Sequence, residues 1–152
     1  MFCFSCEFLA KRNNALIYSG KYWIVDHAYR SKLAGWLVII LKRHAEALHE
    51  LTDEEFKELT ELIKKTTKLL YEVLHTEKEY VAFFAEGEGF HHIHMHVIPK
   101  HKGLPAELKG PKIFSMLKPA NDSEIPEKKI KRIKFLIKKK FIRLTQLYVM
   151  II

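Results

Sequence analysis

The segment His91-His92-Ile93-His94-Met95-His96-Val97-Ile98-Pro99 carries the strongest signal in the chain, because four of the nine histidines fall within six residues. On a β-strand, residues two positions apart point to the same face. His92, His94 and His96 therefore form one row, with a spacing of roughly 6.5 Å along the strand. The alternating apolar residues face the core; they are Ile93, Met95 and Val97. The pattern predicts a strand whose polar row lines a site or solvent.

Three chemical interpretations compete for this row of histidines. Two of them can chelate a catalytic metal if a further ligand comes from elsewhere. Alternatively, one neutral imidazole attacks phosphorus while its neighbours hold the phosphate oxygens and help the leaving group. In the third interpretation the histidines only face solvent at a sheet edge. The strict alternation favours a site, as does the preceding turn Glu86-Gly87-Glu88-Gly89, whose backbone N–H groups can approach an anion.

Length and composition predict a single folded domain. The chain has 152 residues, of which 48% are hydrophobic and 29% charged, with only 6 Gly and 5 Pro. No apolar run approaches the ~20 residues of a membrane-spanning helix, and the first residues lack a basic stretch followed by an apolar one. We therefore expect a cytoplasmic protein. In a reducing compartment its two cysteines stay free for metal binding or catalysis.

The net charge of +8 is concentrated near the C-terminus. Residues 122–152 contain nine basic and three acidic side chains, whereas residues 1–121 are nearly neutral at +2. We divide the chain into a catalytic domain, 1–121, and a basic C-terminal helix with an apolar tail, 122–152, packed on the same domain. Such a tail can contact nucleic acid or an anionic membrane surface. We favour a solvated helix face, with the apolar end Leu147–Ile152 buried against the domain or in a subunit interface.

The predicted strands all show β-type patterns. Residues 15–26 form two short β-rich runs around Ser19-Gly20-Lys21, which indicates a hairpin. Residues 36–41 are Trp36 followed by a continuous aliphatic run, which is typical of a central strand covered on both faces. Residues 80–85 and 92–98 predict an adjacent antiparallel pair joined by the turn at 86–89. The sequence therefore predicts an antiparallel sheet of about five strands.

Two helices complete the predicted α+β fold. Thr52-Asp53-Glu54-Glu55 is a capping box, so a long helix begins there and ends near His75. Its predicted apolar stripe has helical spacing and comprises Phe56, Leu59, Leu62, Ile63, Thr66, Leu70, Val73 and Leu74. A second helix begins after Pro126 and uses Ile130, Ile133, Leu136 and Ile137 as its apolar face. Residues 100–123 are predicted to be a loop with one short element at Ile113–Leu117.

The segment His92-Ile93-His94-Met95-His96-Val97-Ile98 matches the His-φ-His-φ-His-φ-φ motif, in which φ is apolar, of the histidine triad (HIT) nucleotide hydrolases and transferases. Other segments resemble this family in the right order around it. Cys3-x-x-Cys6 is similar to the cysteine pair of many bacterial and archaeal members. Trp36–Leu41 followed by Lys42-Arg43-His44 resembles the family's strand that ends in a basic residue and His, and Leu51–Glu55 resembles the start of its long helix. The resemblance covers about residues 3–100.

The resemblance implies specific chemistry for the triad. His94 would be the nucleophile that attacks the α-phosphate of a nucleotide and forms a nucleotidyl-histidine intermediate, which water then hydrolyses. His96 would contact the same phosphate and assist departure of the leaving group. The implied activity is hydrolysis of a nucleoside phosphoramidate or a dinucleoside polyphosphate, with no catalytic metal required. An imidazole with its ordinary pKa of about 6.5 is largely neutral at pH 7 and can act as a nucleophile.

Three positions bear on substrate binding. Asp26 lies where an acidic or amide residue of the family often binds the ribose hydroxyls; otherwise it is a turn residue that closes a strand. Glu88 and Gly89 stand where members often have Gln and then Ser or Thr, and we assign Gly89 to substrate binding with Asp26 and His96. Trp36 stands where members often have His, and it is most simply a core residue.

The resemblance also implies a structural zinc ion. In members with the cysteine pair, its ligands correspond to Cys3, Cys6, His44 and His92. Two thiolates and two imidazoles suit a closed tetrahedral site, which leaves no open position for catalysis. The alternative for Cys3 and Cys6 is a pair of buried thiols among neighbouring phenylalanines. Many relatives are dimers, so the resemblance implies a homodimer as well.

Two other functions remain alternatives to a histidine triad hydrolase. The first is a metal-dependent phosphoesterase that uses His92, His94 and His96 as ligands. The second is a non-catalytic, zinc-stabilised protein that binds a nucleotide or nucleic acid. Sensitivity of turnover to a chelator tests the first, and the effect of replacing His94 on binding tests the second.

Overall fold

We describe a computed structural model of the chain, which covers residues 2–11, 16–28, 31–117 and 125–149. The strands are β1 Tyr18–Ser19, β2 Trp23–His27, β3 Leu37–Leu41, β4 Lys78–Ala82 and β5 His94–Lys100. The α-helices are α1 Phe4–Ala10, α2 Asp53–Leu74 and α3 Glu127–Val149, and short 3₁₀ helices span Leu48–Glu50, Ala106–Leu108 and Gly110–Met116. Over the described ranges, no helix is both long and apolar enough to cross a membrane.

The five strands form one antiparallel sheet in the order β1-β2-β3-β5-β4. Strand β3 lies at the centre and all of its residues are buried, as its continuous aliphatic run predicts. It pairs with the histidine strand so that Ile40 lies opposite His94 and Val38 opposite His96. The predicted α+β class, the hairpin and the adjacent pair β4–β5 are confirmed.

Helix α2 begins where the capping box predicts. The Glu55 N–H donates to Thr52 Oγ1 at 3.2 Å, and the Thr52 N–H donates to Glu55 Oε2 at 2.9 Å. The helix ends at Leu74, and His75 follows it in the left-handed conformation with φ 53°. Phe56 of the predicted apolar stripe is 38% exposed, so that assignment is wrong, and Leu69, which the stripe omits, is fully buried.

The sheet has an apolar layer on each face. On one face α2 and α3 cover Val25, Ile39 and Val97. Helix α3 contributes Ile133, Ile137 and Phe141 to this core. Leu136 is 41% exposed, so its assignment to the buried face is wrong; it lies about 100° around the helix from Ile137. The other face carries Ile24, Val38 and Ile40, together with the two triad histidines paired opposite β3.

The bounds of two strands differ clearly from the predicted ones. Strand β4 is Lys78–Ala82 rather than 80–85, and β5 is His94–Lys100 rather than 92–98. His92 precedes β5 because the chain there pairs with the segment after β3: the Ile93 N–H donates to the Ala45 carbonyl at 2.8 Å. The predicted row of three histidines on one strand is therefore wrong for His92, and of the triad His94 and His96 alone lie on a strand.

Two further short elements can be compared with the sequence predictions. The sequence patterns do not predict helix α1, whose N-cap is Cys3; the Cys3 sulfur accepts a hydrogen bond from the Cys6 N–H at 3.4 Å. The short element near Ile113 is the 3₁₀ helix Gly110–Met116, and Ile113 is buried. Three predictions lie outside the described residues and side chains. They concern residue 15 of the hairpin, the boundary between residues 121 and 122, and the burial of the apolar end.

Candidate functional site

Four thiol and imidazole groups converge beside the histidine strand. They belong to Cys3 and Cys6 of the N-terminal helix region, to His44 after β3, and to His92 before β5. One ligand atom from each lies within 4.8 Å of all the others. Cys6 Sγ is 3.4 Å from Nδ1 of both His44 and His92, and Cys3 Sγ is 3.6 Å from Nδ1 of His92. The residues that the resemblance implies for a metal site are thus brought together.

The geometry of this cluster fits a tetrahedral zinc ion. Zn–S bonds of about 2.3 Å and Zn–N bonds of about 2.0 Å at tetrahedral angles place sulfur and nitrogen about 3.5 Å apart. The second ring nitrogens also have suitable partners, because His92 Nε2 lies 2.7 Å from the Leu41 carbonyl oxygen and His44 Nε2 lies 3.2 Å from Glu46 Oε1. Zinc-binding histidines characteristically donate their other N–H to such oxygens. The donor set and its surroundings therefore suit the ion.

Burial shifts the pKa values of two of these groups, Cys6 and His92. Burial, followed by the neighbouring Cys3 sulfur, raises the pKa of the Cys6 thiol above its ordinary value. Burial also lowers the pKa of His92, which keeps the imidazole neutral. Neutral imidazole is the form that ligates a metal.

His94 is held in one orientation at the start of β5. Its Nδ1 lies 2.7 Å from the His92 carbonyl oxygen, so Nδ1 carries the proton and donates to this acceptor. The lone pair of the neutral ring then resides on Nε2. Burial lowers the pKa of His94, and the hydrogen bond to the His92 carbonyl opposes that shift only in part. The result is a neutral imidazole with an unprotonated Nε2, the form that can attack phosphorus.

His96 lies next to His94 on the same face of β5. The two ring centroids are 4.8 Å apart, with the planes inclined by 78°. The indole N–H of buried Trp36 donates to His96 Nδ1 at 3.1 Å. Burial, and then the neighbouring His94, lower the pKa of His96 to about 3. His96 is therefore neutral and carries its proton on Nε2.

The two histidines open into a cavity of about 410 Å³. This volume lies within the range of about 300–1,000 Å³ that is usual for small-molecule pockets. Aromatic rings form much of its wall; they belong to Phe4, Phe8, Phe84, Phe90 and Phe114. The polar side chains among the described lining residues are Ser5, Glu86, His94 and His96. A flat apolar ring system and a phosphate can therefore bind side by side.

Two predicted substrate-binding residues lie outside this lining. Asp26 is buried on β2 and forms an ion pair with Lys134 of α3, with Oδ1 and Nζ 2.8 Å apart. Gly89 has φ +74°, and its carbonyl oxygen accepts a hydrogen bond from the Phe4 N–H at 2.9 Å. Its neighbours Gly87 and Phe90 do line the cavity. The ribose contact of Asp26 and the substrate contact of Gly89 stay predictions.

Sequence reasoning misses the aromatic wall and the second role of Trp36. Phe4 and Phe8 reach the cavity only because the short helix α1 folds over it, and no periodic pattern of their own indicates this. Trp36 is fully buried, as its assignment to the core predicts, but its N–H also contacts a triad histidine. The signal that could have found this contact is the position of Trp36, where the family resemblance implies a histidine.

A family comparison matches the HIT domain to residues 10–103, which is more than half of the chain. The adenosine 5′-monophosphoramidase hnt1 of Schizosaccharomyces pombe is 36% identical over 80 residues, which are 50% of this chain and 55% of that protein. The chain thus spans about half the length of this curated relative.

Solved structures of low sequence identity share the fold. A hypothetical histidine triad nucleotide-binding protein from Sulfolobus tokodaii has a TM-score of 0.71 at 18% identity, covering 93% of each chain. A zinc-bound histidine triad family protein from Mycobacterium smegmatis has a TM-score of 0.67 at 18% identity, covering 95% of this chain and 96% of that one. Together with the family match and the paired His94 and His96, these findings show that the chain belongs to the HIT domain family.

Proposed function

We propose that this protein is a hydrolase that acts at the α-phosphate of a nucleotide through a nucleotidyl-histidine intermediate. One observation carries the proposal: the hydrogen bond from His94 Nδ1 to the His92 carbonyl, which leaves the lone pair on Nε2 within a pocket. A side chain fixed in this way attacks without first losing a proton. It also avoids much of the orientational cost of a freely rotating imidazole.

The reaction has two steps. In the first, His94 Nε2 forms a bond to the α-phosphorus while the bond from phosphorus to the leaving group breaks, and the leaving group takes the electron pair. A phosphoanhydride leaving group departs as the phosphate anion, whereas an amine departs only after its nitrogen has gained a proton. In the second, water attacks the same phosphorus and the N–P bond breaks, which returns the electron pair to Nε2 and releases a proton to solvent. The Nδ1–H of His94 keeps its acceptor throughout and stabilises the positive charge on the intermediate's ring.

The surrounding residues suit a nucleotide. The aromatic wall offers stacking surfaces for a base, and the Nε2–H of His96 can donate to a phosphoryl oxygen beside His94. The candidate substrates are nucleoside phosphoramidates and dinucleoside polyphosphates. The name of the Schizosaccharomyces pombe relative, an adenosine 5′-monophosphoramidase, supports a nucleotide substrate.

We also propose a structural zinc ion held by Cys3, Cys6, His44 and His92, with no metal in the catalytic step. The zinc would supply a closed cross-link between the N-terminal helix and the segment before β5. The thiol–imidazole distances of 3.4–3.6 Å support this assignment. Its test is a zinc measurement on the purified protein, with one ion per chain expected and none after replacement of Cys6.

Turnover in excess EDTA tests the proposed mechanism. The substrates are adenosine phosphoramidates and dinucleoside polyphosphates, and the proteins are wild type, His94→Ala and the control His91→Ala. His91 belongs to the same histidine-rich segment, 91–96, and is not among the cavity-lining residues. We expect turnover to survive EDTA, to disappear in His94→Ala and to persist in His91→Ala.

Two other outcomes would each reject a defined part of the proposal. Immediate loss of wild-type turnover in EDTA, with the fold intact by circular dichroism, would establish a catalytic metal instead. Nucleotide binding without turnover, unchanged in His94→Ala, would establish a binding protein. A nucleotidyl-enzyme adduct trapped by rapid acid quench and mapped to His94 by mass spectrometry would support the intermediate directly.

Assembly and location are proposed from the resemblance and the composition. We propose a homodimer. Its interface would bury the exposed apolar side chains of α3, which are Phe135, Leu136 and Ile142. Light scattering tests this state, and a monomer at micromolar concentration would reject it. A cytoplasmic location stays a prediction of the sequence, as does the solvated state of the basic tail.

A further inference from the structure

The hydrogen bond between Trp36 and His96 restricts what His96 can do in catalysis. Both residues are buried, and the indole nitrogen lies 3.1 Å from His96 Nδ1. An indole N–H only donates, so Nδ1 must present its lone pair. A second proton on His96 would sit on Nδ1 and point at the indole N–H. That arrangement would lose a buried hydrogen bond and place two donors face to face.

This restriction makes His96 a hydrogen-bond donor rather than an acid. In its neutral form the ring carries one proton, on Nε2, and transferring that proton completely would leave an imidazolate anion. His96 can therefore stabilise negative charge on a departing oxygen but cannot neutralise a strongly basic leaving group. The low pKa of His96, set by burial and by His94, agrees with this role.

The other polar side chains of the described cavity lining are Glu86, His94 and Ser5, and none of them takes the place of His96 as an acid. Glu86 lies in the solvent-exposed part of the lining. His94 is the nucleophile, and its Nδ1 proton is committed to the His92 carbonyl. Ser5 is buried in the first turn of α1, and a hydroxyl is a far weaker acid than an imidazolium ion.

Leaving groups differ sharply in their need for a proton. A phosphoanhydride releases a phosphate oxygen whose conjugate acid has a pKa of about 6, so it departs as an anion at neutral pH. A phosphoramidate must gain a proton on nitrogen before the P–N bond breaks, because the alternative product is a strongly basic amide anion. An active site without an acid therefore favours the first class.

We propose that the Trp36–His96 hydrogen bond makes this protein selective for nucleotides with a phosphoanhydride leaving group, such as dinucleoside polyphosphates, over phosphoramidates. The inference rests on the proposed function and specifies its substrate class. Trp36 is a positioning residue in this scheme, since it acts through His96. In the favoured reaction His94 Nε2 bonds to the α-phosphorus, and a nucleoside diphosphate leaves with the electron pair while it accepts a hydrogen bond from His96 Nε2.

The test compares two substrates that share the adenosine α-phosphate and differ in the leaving group. Diadenosine triphosphate releases ADP, whereas adenosine 5′-phosphoramidate releases ammonia. General acid catalysis is worth typically about 10²–10⁴-fold, so we expect wild type to show a kcat/KM at least ~100-fold higher for the triphosphate. Trp36→Phe keeps an aromatic ring and removes the N–H. We expect this variant to narrow the preference by at least ~10-fold.

Phe114→Leu is the matched control. Phe114 packs edge-on against both Trp36 and His96, with ring centroids 5.4 and 5.2 Å away, but it makes no N–H contact to either ring. Its replacement disturbs the packing and keeps the hydrogen bond. We expect both substrates to be affected to the same degree, so that the preference ratio stays at the wild-type value.

A spectroscopic readout keeps the proposal testable if Trp36→Phe does not fold. Long-range ¹H–¹⁵N NMR spectra of wild type at neutral pH should show His96 as the Nε2–H tautomer with an unprotonated Nδ1. An Nδ1–H tautomer or an imidazolium would overturn the proposal. So would a wild-type preference for the phosphoramidate, or an unchanged ratio in folded Trp36→Phe. If wild type hydrolyses neither substrate, the proposed function itself is rejected. If it hydrolyses them with the opposite preference, only the proposed selectivity is rejected.

Discussion

The backbone N–H of Phe4 donates a hydrogen bond of 2.9 Å to the carbonyl oxygen of Gly89. This bond joins the N-terminal helix to the loop that precedes the histidine strand. The contact is close, because a Cβ on Gly89 would lie 2.6 Å from the Phe4 ring. Phe4 in turn lines the cavity, so its close contact with Gly89 positions one of the aromatic rings of the cavity wall.

Gly89→Ala should therefore destabilise the protein and weaken substrate binding. A non-glycine residue in the left-handed region costs about 1–3 kcal/mol, and displacement of Phe4 adds to this. Gly103→Ala is the control, since Gly103 has φ +78° but a Cβ there would meet no atom within 4 Å. We expect both variants to lose stability in urea denaturation and only Gly89→Ala to raise KM. An equal KM for both variants would contradict a role for this contact in the site.

Loss of the proposed zinc ion should affect the same aromatic side chains. Cys3 and Cys6 are the N-cap and a residue of α1, whose Phe4 and Phe8 line the cavity. We expect Cys6→Ser to lose its zinc, to melt at a lower temperature than wild type, and to bind nucleotide more weakly. EDTA should lower the Tm of wild type after prolonged incubation and leave that of Cys6→Ser unchanged. A variant that retains one zinc ion per chain would show that the cluster is not the metal site.

The ion pair between Asp26 and Lys134 should be worth more than the other ion pairs along α3. Asp26 is 7% and Lys134 22% exposed at the side chain, whereas Lys131 and Glu127 are 72% and 78% exposed. Removing one partner of a buried pair costs about 3–5 kcal/mol, and an exposed pair is worth about 0–1 kcal/mol. We expect Lys134→Met to lower the free energy of unfolding by about 2 kcal/mol or more, since this pair is only partly buried. Lys131→Met should change it little.

The same pair allows a test of the predicted ribose contact. If Asp26 is mainly structural, Asp26→Asn will lose stability without a selective rise in KM. A large rise in KM with nearly unchanged stability would instead establish Asp26 as a substrate-binding residue. Isothermal denaturation and steady-state kinetics on the same preparation distinguish the two outcomes.

Stability should fall in mild acid because of buried His27. Its Nε2 accepts the Gly35 N–H at 3.0 Å, and burial lowers its pKa to about 4. The unfolded chain, with a histidine pKa of about 6.5, binds the proton more readily than the folded protein does. The contribution of neutral His27 is therefore fully present above about pH 6.5 and is lost as the pH falls through about 4. Its size is on the order of 3 kcal/mol.

His27→Gln isolates this contribution from those of other acidic and basic groups. The difference in unfolding free energy between wild type and the variant should shrink progressively as the pH is lowered over this range. A difference that stays constant with pH would show that His27 does not carry the effect.

Local patterns are enough to predict much of the fold. The apolar run 36–41 predicts the central strand, and Thr52 with Glu55 predicts the start of α2, because both features depend on residues within a few positions of one another. The alternation around His94 correctly places two histidines on one face of a strand. It fails for His92, because the N–H of the next residue, Ile93, bonds to the carbonyl of Ala45, which lies beyond the end of β3 and far away in the sequence.

The sequence by itself determined the class of fold and the types of residue available to the site, since periodicity, capping and the triad motif are local properties of the chain. Only the tertiary structure decided which ring nitrogen of each histidine carries its proton. His94 is oriented by a carbonyl two residues away, but His96 depends on an indole N–H sixty residues distant, and His92 on a carbonyl fifty-one residues away. A tautomer is fixed by the partner that folding brings within hydrogen-bonding distance, and no local pattern contains that partner.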